Sequence, residues 1–67
     1  MKVLGIRLRE LRKEKNLSSK ALGKEIGVSD ATIIRWENAT MLPRADYVAT
    51  IAKFFNVSSD YLLGLEE

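Results

Sequence analysis

The chain has 67 residues, 46% of them apolar, with 11 Lys plus Arg against 9 Asp plus Glu, one Pro, no Cys and no His. At this length a chain buries only about 60% of the surface its unfolded form exposes, which leaves room for one small core and argues against a deep catalytic cleft. Without Cys or His there is no disulfide framework, no thiolate or imidazole metal site and no histidine general base, so neither a metal nor a cofactor is expected.

Punctuation and apolar spacing divide the chain into five helices with no strand pattern. Val3, Leu4, Leu8 and Leu11 fall near helical spacing, with Ile6 less well placed, and charges fill the other faces of a first helix running to about Lys15. Asn16 suits a left-handed C-terminal position and Ser18 an N-cap, after which Leu22 and Ile26 mark a short second helix ending at Gly27. Ser29 caps a third helix reaching about Asn38, with Ile33 and Trp36 one turn apart on its inner side. Residues 39–43 read as a loop, and Pro43 stands where a following helix would begin. Val48, Ile51, Ala52 and Phe55 follow the i, i+3, i+4, i+7 rule to a stop at Asn56. A last short helix is capped by Ser58, carries Asp60 in its first turn and ends at Gly64.

The net charge is only +2, but it is unevenly placed. Through Lys24 there are eight basic residues against two acidic; beyond it, three basic against seven acidic. Such a block fits a solvated helix face, and it also fits attraction to a polyanion. No run of about 18 apolar residues occurs and charges are spread through the first twenty, so neither a membrane span nor a secretory segment is expected, and the cytoplasm is the expected compartment.

The window from Ser19 to Asn38 is the most informative. Leu22, Ile26, Ile33 and Trp36 face inward where two helices cross, and Val28 plugs the turn between them. Gly23 lies at the closest approach of the two helices, and Gly27 supplies the positive φ of a sharp turn. This spacing is that of a helix-turn-helix whose second helix enters a DNA major groove.

The run from Ile6 to Gly64 resembles the Cro and phage-repressor type helix-turn-helix domains, the Xre family. Its most specific pieces are RLRELRKEKNLS, EIGVS, IRWEN and FNVSSDYLLG. The resemblance covers nearly the whole chain and implies an all-α, five-helix, lambda-repressor-like domain spanning 1–67. It also implies binding of double-stranded operator DNA as a homodimer, in the nucleoid, and transcription regulation, as a repressor, without catalysis. A chain of this length fits either a whole small regulator or the N-terminal domain of a longer one.

Carried over by position, the resemblance assigns base reading to Asp30, Ala31, Thr32, Ile34 and Arg35. Arg35 fits guanine O6 and N7, and Ala31 or Ile34 fits a thymine methyl. Asp30 fits a cytosine N4 donor, though its place at a helix N-terminus favours a role in stabilising the helix dipole. Phosphate contacts are expected from Ser19 and Lys20, and from Asn38 and Thr40, while Arg12 and Glu37 match a family ion pair joining the first helix to the end of the third.

Two departures stand out. Many members carry Gln where Ser19 stands, and Gly followed by basic residues where this chain has Ala39, Thr40, Met41 and Leu42, which implies fewer phosphate charges. Met41 and Leu42 fit packing on the core or contact with a partner. Tyr47 and Phe54, off the main apolar face, fit a dimer surface or an extended core equally, and Tyr61 and Leu65 form a candidate dimer surface near the C-terminal end. The competing function is a helical protein-interaction module or antitoxin with weak or lost DNA binding. An enzyme is the poorest reading, since there is no His, no Cys, no glycine-rich phosphate loop and no inward carboxylate pair.

Overall fold

The computed structural model describes residues 2–66. It contains α1 (Lys2–Glu14), α2 (Ser19–Ile26), α3 (Asp30–Glu37), α4 (Ala45–Phe55) and α5 (Ser59–Leu63), with no strand among the described residues. The stops and starts are local chemistry. Ser18, Ser29 and Ser58 each sit in extended geometry and accept a hydrogen bond from the backbone amide three residues on, which satisfies a donor that the first helical turn leaves orphaned. At the other ends Asn16, Gly27, Asn56 and Gly64 adopt the left-handed conformation. The chain reverses there, and amides of the next residues return to helix carbonyls: Leu17 to Arg12 at 3.1 Å, Val28 to Gly23 at 2.8 Å and Val57 to Ala52 at 2.9 Å.

These short helices cannot stand alone and are held by one shared core. Leu4 and Leu8 from α1, Leu22 from α2, Ile33 from α3, Ile51 from α4 and Leu62 from α5 are fully buried. Each side chain so buried contributes about 1.5–3 kcal/mol. Trp36 adds the largest surface, and Tyr47 packs tilted on it with ring centroids 5.4 Å apart. Phe54 meets Phe55 edge-on at 4.9 Å. Tyr47 and Phe54 are partly buried and pack against the core.

Two details, at Val3 and Pro43, differ from expectation. Val3 is 40% exposed, and its side chain lies beside Gly64 at the end of α5. Pro43 does not open α4. It is half-buried in the loop, and Arg44 takes the capping position with extended geometry and no side-chain cap. Ala39 takes a left-handed φ of 61°, a conformation that disfavours any side chain with a Cβ.

Candidate nucleic-acid interface

α2 and α3 pack closely across the turn at Gly27, whose φ of 93° makes the reversal. A Cβ at Gly23 would lie 2.5 Å from the carbonyl oxygen of Val28, so this glycine admits the backbone of the turn itself. That is more specific than the helix-on-helix crossing expected there. Val28 is half-buried beneath the turn and packs on the core.

α3 turns Ile33 and Trp36 into the core. At about 100° per residue, the direction opposite those two falls within about 50° of Ala31, Ile34 and Arg35. All three are exposed. The ion pairs among the described residues join Arg12 to Glu37 and Arg44 to Asp46, so the Arg35 guanidinium has no acidic partner. Asp30 and Thr32 are differently employed. Asp30 Oδ1 accepts from the Ala31 amide at 2.9 Å, and the Thr32 hydroxyl lies 3.1 Å from the Ser29 hydroxyl, which itself accepts from the Thr32 amide. Both thus stabilise the N-terminal turn of the helix that presents the other three.

The outer end of α3 is fixed from two sides. The Arg35 carbonyl accepts from the Thr40 amide at 3.0 Å, the Met41 amide at 3.3 Å and the Thr40 hydroxyl at 3.3 Å. Thr40 therefore spends its proton on the helix end. Asn38 is the exposed C-cap and donates its amide to the Ile34 carbonyl at 2.9 Å. From α1, Arg12 grips Glu37 in a two-point contact, Nε to Oε2 at 2.7 Å and a terminal nitrogen to Oε1 at 3.0 Å. Its remaining terminal nitrogen donates to the Leu17 carbonyl at 2.8 Å, so one guanidinium joins α1, the turn before α2 and the end of α3. The side chains are 13% and 6% exposed, and the hydrogen bond to Glu37, against the opposing effect of burial, raises the Arg12 pKa above its ordinary value.

At the start of α2, Ser18 caps the helix while Ser19 is half-buried and Lys20 exposed in its first turn. Tyr61 and Leu65 lie together at the far end of the chain. Leu65 is 73% exposed, but Tyr61 is half-buried beneath Arg7, whose guanidinium sits 4.3 Å from the ring centre and donates to the Tyr61 and Glu66 carbonyls. α1 packs against both α3 and α5, so α3 and this end of the molecule share one support.

Gly5 was not among the residues singled out by spacing. A Cβ there would lie 2.5 Å from the Glu37 carbonyl oxygen and 2.7 Å from that of Trp36, so α1 rests directly on the α3 backbone. The available signal was a lone small residue beside Leu4 within an otherwise bulky apolar stripe.

A bundle of this order, with a capped helix held outward by the helix before it, defines a helix-turn-helix protein. The helix-turn-helix family model matches residues 8–62, and the chain belongs to that family. Over 61 residues it is 36% identical to repressor protein C2 of Salmonella phage P22 and 38% identical to the transcriptional activator BcrR of Enterococcus faecalis, 91% of this chain in each case. It spans 28% and 30% of the length of those relatives. The crystal structure of the P22 c2 repressor in complex with a synthetic operator is similar at a TM-score of 0.85 and 34% identity, over 92% of this chain and 94% of that one.

Proposed function

We propose that this chain is a sequence-specific, double-stranded DNA-binding transcriptional regulator that acts as a repressor by occupying a two-fold operator. α3 lies in the major groove. The observation that carries this reading is the outward row of Ala31, Ile34 and Arg35, the last with no acidic partner among the described residues, on a helix braced at its far end by the pairing of Arg12 with Glu37. Arg35 donates to guanine O6 and N7. Asp30 and Thr32 act in base reading chiefly by holding the helix start in place. Lys20 and the amides at the start of α2, with Ser19, meet the phosphate backbone on one side of α3, and Asn38 with the Thr40 segment meets it on the other. The chemistry is recognition and no bond is made or broken.

Selection from a random duplex pool at low salt tests this directly. Enrichment of an inverted repeat with half-site centres about 10 base pairs apart is the expected outcome, and retention of no duplex contradicts it. On the enriched duplex, Arg35→Ala should lose about 1–3 kcal/mol of discrimination at one guanine per half-site, with helix content unchanged. Equal discrimination by the altered protein would remove Arg35 from the reading set.

The two-fold site requires a homodimer, for which Leu65 and the open edge of Tyr61 supply the apolar surface. Alanine at both positions should lower self-association and operator affinity together; an unchanged dimer in sedimentation would exclude this surface. A protein-interaction module is the second reading, favoured by Met41 and Leu42, 37% and 56% exposed beside a groove of about 360 Å³. The pool selection separates the two.

A further inference from the structure

The polar side chains at the start of α3 are turned back on their own helix, and this narrows what its middle can recognise. Asp30, one turn before Ile34, holds the Ala31 amide, and Thr32 holds Ser29. Ile34 is left 44% exposed, outside the core, with Ala31 exposed one turn earlier on the same side. An isoleucine has neither a donor nor an acceptor. The one feature of a base edge in the major groove that it can recognise is a hydrocarbon group, which in unmodified DNA means the 5-methyl of thymine.

We propose that Ile34 reads a pyrimidine 5-methyl group alone, so that one position of each operator half-site accepts thymine and 5-methylcytosine alike and disfavours cytosine. The two methylated bases differ at the 4-position, carbonyl against amine, and an aliphatic side chain does not sense that difference. Arg35 is donor-only and turned by about 100° from Ile34, so it addresses a neighbouring acceptor and not the same methyl. Operator affinity would then be raised by cytosine methylation at that position. This deepens the DNA-reading function proposed above and rests on it.

The test is the same duplex selection run in three random pools: unmodified, deoxyuridine in place of thymidine, and 5-methylcytosine in place of cytosine. In the unmodified pool one position per half-site should be thymine. In the methylcytosine pool that position should admit cytosine as well, and in the deoxyuridine pool its preference should vanish. A single thymine-to-uracil change there should weaken binding about fourfold, the effect of burying one methyl group. Ile34→Ala, at an exposed position that leaves the core intact, should abolish the difference between pools, with circular dichroism confirming the helices. The same consensus in all three pools overturns methyl reading while leaving DNA recognition standing. A pool difference that survives in Ile34→Ala overturns the assignment to Ile34. No consensus in any pool overturns the DNA-reading function and this inference with it.

Discussion

Replacing Glu37 with alanine is expected to lower folding stability by about 3 kcal/mol, the scale for leaving one member of a largely buried ion pair without its partner. Arg12 is only 13% exposed, and once Glu37 is gone it retains the Leu17 carbonyl alone. The loss falls on the junction of α1 with the outer end of α3, so DNA binding should weaken more than the unfolded fraction accounts for. Urea titration followed by Trp36 fluorescence and circular dichroism measures the first effect. Replacing both partners with methionine should recover much of the stability, because no unpaired charge then remains. A Glu37→Ala change costing under about 0.5 kcal/mol, the range of ordinary surface substitutions, would show that the pair does not tie the helices together. The pair also has a definite pH behaviour. The Arg12 pKa is raised in the folded protein, chiefly by its hydrogen bond to Glu37, so on the alkaline side the contribution of this charge is lost only as pH rises above the ordinary arginine value.

Gly5→Ala is expected to be the more instructive change, because two effects oppose each other. Alanine in a helix interior is favoured over glycine by about 0.8–1 kcal/mol. Against this, the new methyl would stand 2.5 and 2.7 Å from two backbone carbonyl oxygens of α3, which cannot rotate away as a side chain does. Overpacking of this kind costs about 1–3 kcal/mol, and with backbone on the receiving side the upper part of that range should win, for a net loss near 2 kcal/mol. α1 is then pushed off the end of α3, so operator affinity falls as well. Ile6→Ala, one residue on and 56% exposed, should change stability by no more than about 0.5 kcal/mol. A thermal midpoint raised by Gly5→Ala, as helix propensity alone dictates, would contradict the close approach.

What could be read in the chain was what depends on neighbours in sequence. Ser18, Ser29 and Ser58 act on amides three residues away, and Asn16, Gly27 and Gly64 turn the chain where they stand, so caps and stops follow from local chemistry. The inner faces of α3 and α4 follow equally from spacing. Gly5 was not legible, because its reason lies 31 and 32 residues away in the backbone of Trp36 and Glu37. The start of α4 at Ala45 was missed because a proline at a helix boundary fits both the first helical residue and the loop before it, and only the packing of Pro43 decides. In α3, the family resemblance assigns base reading to five side chains. Their hydrogen bonds divide them, with Asp30 and Thr32 held to the helix start and Ala31, Ile34 and Arg35 free to face a groove.

In the function proposed above, α3 reads base sequence and does not merely attach the molecule to phosphate. Fluorescence anisotropy with the selected duplex and with a scrambled duplex of the same composition, each titrated over a range of salt, tests it most directly. Binding of the selected duplex is expected to be at least about 1,000-fold tighter, with a salt dependence in both that reports the phosphate contacts. Equal affinity for the two duplexes at every salt concentration would contradict it.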